Sequence, residues 1–456
     1  MKIVFLNSSG QLGGAENVLL DLLASLRTAE ASWTLHLVVP AQGALAERAR
    51  QLGVGVTVLA QPHALARLGD AGAGGPAGSE VGRAALARRL LTASVPAARY
   101  VTRLRRVLGE LAPDLIHANG FKAQLLAAWS RPARVPVVWH VHDYVSFRPV
   151  AARLLRLSSR RCAVAVANSR SVADDARRAL GRGVQVRAVY NAVDLETFAP
   201  EGPAADLDAL AGLPIAEAGT VRVGLVATLA RWKGHRTFLE ALSLVNADAR
   251  VRGYAVGDAL YRTDGSQHRL EELRRMADEF GVADRVGFTG FVEDAASAMR
   301  ALDVVVHAST APEPFGLVIA EAMACGRAVV ASRAGGAREI ITEGRDALAH
   351  TPGDAAELAA RINELATDAR LRASLGRRAR ATAERRFDRA RFAAEWIPIY
   401  CGLRNSDCGF DESNAVVRQR PDARESEDES HAVPNPQSTI RIPQTANPQS
   451  EFRNPQ

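Results

Sequence analysis

Cysteine is scarce in this chain of 456 residues. The four present, Cys162, Cys325, Cys401 and Cys408, form no CxxC pair and no zinc-like spacing. That argues against a disulfide framework and fits a reducing compartment. Lysine is scarcer still. Only Lys2, Lys122 and Lys233 occur, so the 57 basic residues are almost all arginine. Arginine is therefore a compositional habit here, and each lysine is a position worth examining. No run of about 18 apolar residues exists, so no transmembrane helix is expected. The opening apolar stretch, Met1–Leu6, is too short for a signal peptide and reads as a first β-strand. A G-x-G-x-x-G dinucleotide fingerprint is missing, and no D-x-D stands in a metal-binding context.

The residues that are plentiful set the class. The chain is 47% hydrophobic and 23% charged, with 57 Lys+Arg against 50 Asp+Glu and a formal net charge of +7. This is the composition of a soluble globular protein with room for two or three domains, which excludes a fibrous chain and disorder throughout.

Strand-like and helix-like segments alternate along the first half. Short apolar runs occur at Ile3–Leu6, Leu35–Val39, Val54–Leu59, Leu115–Ala118, Val135–Val141, Ala163–Ala167 and Val186–Val189. The alternation pauses over residues 199–219, where Pro200, Pro203 and Pro214 suggest a hinge or linker. It resumes with Val221–Leu229, Val251–Val256, Val286–Phe291, Val304–Ala308 and Ala328–Ala331. Alternating strands and helices imply right-handed βαβ units and parallel sheets. The expected fold class is therefore α/β, with two Rossmann-like doubly wound domains in series. Ligand would sit in the crevice at the carboxyl ends of the strands.

Three stretches stand apart. Residues 61–82 are rich in Gly and Ala and read as a long loop. Arg83 to Arg106 holds seven arginines and no acid, and a second acid-free stretch carries Arg148, Arg153, Arg156, Arg160 and Arg161. Such runs are first of all solvated faces, and Pro96 interrupts the helical pattern of the first. Basic amphipathic helices also suit anionic membranes or anionic acceptors. Residues 403–456 repeat Asn-Pro-Gln and hold few aromatics. They cannot bury enough apolar surface to fold and are expected to be disordered.

The most specific segment is Glu313-Pro-Phe-Gly-Leu-Val-Ile-Ala-Glu321. A strand leads into the loop carrying Glu313, and Gly316 opens a helix that holds Glu321. A helix N-terminus exposes free N–H groups and partial positive charge, which suits a phosphate. Glu313 on the loop is placed for hydroxyls of whatever carries the phosphate, and Glu321 for those of a ribose. Gly13-Gly14 lies between the first strand and first helix, where glycines let the backbone approach a diphosphate or an acceptor closely. His142 follows an apolar strand. His140, two residues earlier, reads as a hydrogen-bonded core histidine, and the pair lacks a third ligand for a metal.

This segment resembles the E-x7-E signature of the retaining glycosyltransferases of family 4, which have the two-domain GT-B fold. Other stretches match in the same order: Gly13-Gly14-Ala15-Glu16, His142-Asp143, Tyr190-Asn191-Ala192-Val193-Asp194 with Phe198, Lys233-Gly234, Gly290-Phe291-Val292, and Gly335-Gly336-Ala337-Arg338-Glu339. The resemblance covers about residues 1–402. It implies an acceptor-binding domain over 1–198, a hinge over 199–219 and a sugar-nucleotide domain over 220–385. A helix over 386–402 would return to the first domain.

The resemblance also implies roles. Glu321 would bind ribose hydroxyls, and Glu313 would contact the donor sugar beside the Phe315-Gly316-Leu317 backbone. Lys233 would pair with the diphosphate, Gly14 and Val292 would border the donor, and His142 would lie beside the anomeric centre. Lys233, Glu313 and His142 are the candidate catalytic set. Thr228 stands where the family usually has an arginine, and Arg231 is the candidate for that second cation. Gly13, Asn119 and Lys122 are candidates for the acceptor side. The expected activity is metal-independent, retaining transfer from a nucleotide-diphosphate sugar to an acceptor hydroxyl, with no cofactor and no nucleic-acid partner. A glycan or lipid-linked acceptor, cell-surface polysaccharide and a cytoplasmic, membrane-proximal location fit the basic first half. A sugar-nucleotide epimerase on the same fold and a catalytically silent sugar-nucleotide-binding protein are the alternatives.

Overall fold

The computed structural model describes residues 1–66, 83–259 and 266–404; most of the 61–82 loop and all of the expected 403–456 tail except its first two residues, which end a helix, lie outside the described residues. Among the described residues, thirteen strands form two sheets, and every pairing between these strands is parallel. The first sheet contains β1 (Lys2–Asn7), β2 (Thr34–Val39), β3 (Gly55–Val58), β4 (Leu115–Asn119), β5 (Val137–Val141), β6 (Val164–Ala167) and β7 (Gln185–Ala188). Their order is β3-β2-β1-β4-β5-β6-β7. The second contains β8 (Val221–Val226), β9 (Val251–Val256), β10 (Val286–Gly290), β11 (Val304–His307), β12 (Ala328–Ser332) and β13 (Leu348–His350), in the order β10-β9-β8-β11-β12-β13. The apolar runs become strands because both faces of each sheet are covered by helices, so no alternation with polar residues is needed. β13 escaped the sequence reading because three residues, Leu-Ala-His, carry no periodic signal.

In each sheet the strand order reverses beside the first strand, between β1 and β4 and between β8 and β11. Loops leaving neighbouring strand ends diverge there and open a crevice. Asn7 and Asn119 end β1 and β4, and His307 ends β11.

Two expectations change. Pro96 does not break its helix, which runs Arg83–Leu111. Tyr100, Leu104 and Leu108, spaced by one turn each, are buried in the core beneath it, and Tyr100 donates to the Leu59 carbonyl at 3.2 Å. Tertiary burial of that stripe outweighs the hydrogen bond that proline removes. The 199–219 segment is not slack either. Leu207 is buried, and Asp208 accepts from Arg222 (3.0 Å), Arg252 (2.7 Å), Tyr254 (2.6 Å) and the Ala216 N–H (3.0 Å). Burial raises the Asp208 carboxyl, but these donors outweigh it and hold it well below the usual range. The segment is thereby fastened to the second sheet. The chain instead passes between the halves at two adjacent places. Val193 bridges Asp388, and its N–H donates to the Phe387 carbonyl at 2.8 Å.

After that crossing, the helix Arg389–Arg404 returns to the first sheet. It buries Phe392, Trp396, Ile399 and Tyr400 among Ile3, Phe5, Leu19 and Leu23. Arg389 pairs with Asp21 of the first helix and with Asp194 (2.9 Å), joining both crossings.

Candidate active site

The glutamate pair Glu313 and Glu321 sits where β11 gives way to the helix Leu317–Ala324. Glu313 is buried, and its carboxylate accepts from Lys233 Nζ at 2.8 and 3.0 Å, Ser309 Oγ at 2.8 Å and His307 Nε2 at 3.2 Å. Burial alone would push the Glu313 carboxyl up. The Lys233 charge and the His307 bond outweigh it and hold the group well below the ordinary carboxylate range. Lys233 Nζ also lies 4.2 Å from the centre of the Trp232 ring.

The KG turn that carries Lys233 tolerates no other residue at Gly234. Its φ is +80°, and an added Cβ would lie 1.9 Å from the Ala308 carbonyl oxygen. This close approach of the turn to the end of β11 brings Lys233 against Glu313. Gly316, with φ +95°, makes the corresponding left-handed turn into the helix that carries Glu321. Phe315 is buried in the second half, whereas Leu317 packs against the cores of both halves. Val292 is half-buried beyond the strand end at Gly290.

Glu321 is half-buried, and burial together with the nearby Asp21 charge raises its carboxyl to about 8. Asp21 itself is raised to about 6, burial winning over its pairing with Arg389. The carboxyl that the resemblance pairs with ribose is thus biased by its surroundings toward the protonated form.

From the first half, the loop after β5 brings His142 to the same crevice. Asn119 Oδ1 lies 2.6 Å from His142 Nε2, and the Asn168 amide donates to the His142 main-chain oxygen at 3.2 Å. Burial lowers the imidazole to about 3, so it is neutral. The next residues meet the Glu313 loop: Tyr144 Oη donates to the Glu313 main-chain oxygen at 3.3 Å. Gly14, at the start of the helix Gly14–Ala29, is exposed, and no atom lies within 4 Å of where its Cβ would be. Gly13 caps that helix, and Lys122 is half-buried near the start of the helix Phe121–Ser130.

Arg231 forms a bidentate pair with Glu272 (2.8 and 3.1 Å). Two expectations are corrected by these contacts. Asn119 does not reach toward an acceptor; it is buried, with both ends of its amide engaged within the first half. His140 is in the core, 3.9 Å from the His142 ring and 4.8 Å from Trp396 between ring centres, but neither of its ring nitrogens has a hydrogen-bond partner among the described residues.

Glu339 ends the Gly335–Glu339 motif, which by itself shows no partner for it. Its carboxylate accepts from the N–H groups of Arg170 (2.8 Å) and Ser171 (2.7 Å) and from Tyr190 Oη (2.9 Å). A residue of the second half therefore sits on the N-terminus of the helix Arg170–Leu180 in the first. Only the fold brings positions so distant in sequence together.

Residues 12–197 match the family model Glycosyltransferase Family 4, and residues 220–368 match Glycosyl transferases group 1. A crystal structure of Anabaena HepE in complex with UDP is 31% identical, with a TM-score of 0.71, over 88% of this chain and all of that one. The chain is a family 4 glycosyltransferase. HepE has also been solved with UDP-glucose, at 31% identity and a TM-score of 0.70. The glycosyltransferase is 34% identical over 246 residues to a D-inositol 3-phosphate glycosyltransferase of Xylanimonas cellulosilytica, covering 52% of this chain and 56% of that protein. It is 32% identical over 170 residues to the lipopolysaccharide core biosynthesis glycosyltransferase LpsE of Rhizobium meliloti, covering 37% and 46%. It thus spans about half the length of these curated relatives. Its two parallel sheets are those of the GT-B fold, shared with WaaG at 13% identity and a TM-score of 0.59.

Proposed function

We propose that this glycosyltransferase moves a sugar, with retention, from a nucleotide-diphosphate sugar to an acceptor hydroxyl. The observation that carries the reading is the Lys233–Glu313 pair at the end of β11, beside the N-terminus of the helix bearing Glu321. Lys233 and the free N–H groups of that helix offer positive charge where a diphosphate would lie. A fixed cation stabilises the charge that grows as the diphosphate departs, so it favours the transition state over the ground state. Glu313, released from Lys233 by the incoming phosphates, would turn to sugar hydroxyls, and Glu321 would accept from ribose. The departing diphosphate would take the acceptor proton, so no dedicated general base is required, and Lys233 supplies countercharge without a metal. The UDP and UDP-glucose complexes of HepE support a uridine nucleotide.

The acceptor side points to a cell-surface glycan or lipid-linked acceptor. On the helix Pro149–Ser158, Val150, Leu154 and Leu157 are exposed, with Arg153 and Arg156 on the same element. Phe147 and Trp129 are exposed nearby in sequence or packing, and Arg161 stacks 4.2 Å from the Trp129 ring centre. Apolar residues interleaved with arginine suit peripheral contact with an anionic lipid surface. Among the described residues, no helix is long and apolar enough to cross a membrane.

The test is nucleotide release from UDP-, GDP- and ADP-sugars with EDTA present, with Glu321→Ala as control. Release from one donor, lost in the variant, is expected, and early NMR of the freed sugar should show the donor's anomeric configuration. No release together with no donor binding by calorimetry would remove the sugar-nucleotide reading. Sedimentation with anionic vesicles at low salt tests the surface contact, which fails if the protein stays in solution.

A further inference from the structure

A line of side chains runs beneath the first-half face of the crevice, from the GGAE turn to His142. Asn7 Nδ2 donates to Glu16 Oε1 at 3.1 Å and to the Ser9 carbonyl at 2.8 Å. Asn119 Nδ2 donates to Asn7 Oδ1 at 2.8 Å and to the Ala15 carbonyl at 3.3 Å. Asn119 Oδ1 then faces His142 Nε2 at 2.6 Å. Asn7 and Asn119 are both buried, and they occupy paired positions in the register of β1 and β4.

The polarity of this line has one solution. A carboxylate and a carbonyl only accept, so Asn7 must turn its NH2 toward Glu16 and Ser9. Its oxygen is then left for Asn119, whose NH2 also meets the Ala15 carbonyl. Asn119 must therefore present its oxygen to His142, and that oxygen requires a hydrogen on Nε2. A neutral imidazole with Nε2–H carries its lone pair on Nδ1.

We propose that Asn119, its amide fixed by the Ala15 carbonyl and by Asn7, is a positioning residue that locks His142 as the Nε2–H tautomer and so presents an Nδ1 acceptor to a ligand hydroxyl at the reaction centre. The role of His142 in this statement rests on the transferase reading above. The tautomer itself does not. The other tautomer would place two lone pairs against each other at 2.6 Å and offer a donor where the ligand meets the ring. The line also ties His142 to the Gly13-Gly14 turn, because Ala15 and Glu16 follow those glycines directly. A diphosphate or acceptor at the turn would bear on the same network.

The experiment is ring 15N NMR of the full chain labelled at histidine, with His142 assigned by a His142→Gln variant, alongside donor kinetics. The expected wild-type ring is neutral with the proton on Nε2. Asn119→Leu should leave a mixed tautomer and lower kcat at least tenfold, with the donor KM within twofold. Glu16→Ala, which leaves the Ser9 and Ala15 carbonyls in place, should retain the Nε2–H tautomer. A wild-type ring protonated on Nδ1, or on both nitrogens at neutral pH, overturns the proposal even if every variant fails to fold. A fall in kcat in Asn119→Leu with the tautomer unchanged also overturns it, since Asn119 would then be structural only. If Glu16→Ala shifts the tautomer as far as Asn119→Leu does, the assignment to Asn119 is wrong. If no donor is turned over, the transferase reading fails, while the tautomer still decides this one.

Discussion

At the scale of single residues, the site is governed by carboxyl groups in contrasting surroundings. Glu313 is buried beside a cation and stays ionised, whereas Glu321 is half-buried beside another acid and is raised to about 8. Removing Lys233 would leave Glu313 buried without its countercharge. Lys233→Met is expected to cost about 3 kcal/mol of stability and to abolish turnover. Adding Glu313→Gln should return most of the stability and none of the activity, and denaturant unfolding of the four proteins in the cycle measures both. For Glu321, ribose hydroxyls need a carboxylate acceptor, so donor binding must release its proton. Affinity should then rise with pH from 6.5 to 8, by up to about tenfold per unit, and calorimetry in buffers of different ionisation enthalpy should detect the proton. The stability consequence has the opposite direction. A carboxyl raised in the folded state favours the fold while protonated, and that contribution is lost as pH rises through about 8. Glu321→Gln should therefore raise the melting temperature above pH 8 by a few degrees and change it little near pH 4. The spacing of Glu313 and Glu321 marked both positions. The burial that raises Glu321 was not legible, nor was the neighbouring Asp21, which lies 300 positions away in sequence.

At the scale of elements, helix termini and strand ends do the positioning. The left-handed turns at Gly234 and Gly316 set Lys233 and the Glu321 helix against β11, and both glycines were visible in the motifs. The contact between Glu339 and the Arg170–Leu180 helix was not, since neither segment alone shows a partner. Its three charge-assisted hydrogen bonds join the halves. Glu339→Ala should weaken the joined arrangement by about 2 kcal/mol. Small-angle scattering of the unliganded protein should show a larger radius of gyration than wild type, and saturating donor should reduce the difference. An unchanged profile would mean that Tyr144 and Leu317 hold the halves together without it.

At the scale of the whole molecule, the chain is stitched by segments that cross between the two sheets. The return of the Arg389–Arg404 helix places Trp396 against His117 and His140, deep under the first sheet. Trp396→Ala should cost about 3–5 kcal/mol and destabilise the first half before the second, giving two melting transitions by calorimetry where wild type shows them closer together. A single transition lowered as a whole would mean that the halves unfold as one unit.

The amino-acid sequence by itself determined the α/β class, the strands long enough to show an apolar run, and the family, because local hydrophobicity and motif spacing are properties of adjacent residues. It also marked Lys233, Glu313, Glu321 and His142 as one set. Tertiary structure alone decided which polar groups meet. It spent Arg231 on Glu272 and Asn119 on His142, fastened the expected hinge to Arg222 and Arg252, and carried a helix through Pro96. Each of these outcomes depends on burial and on partners tens to hundreds of residues away. A buried polar group takes whichever partner the packing brings within hydrogen-bond distance, and no local pattern records that distance.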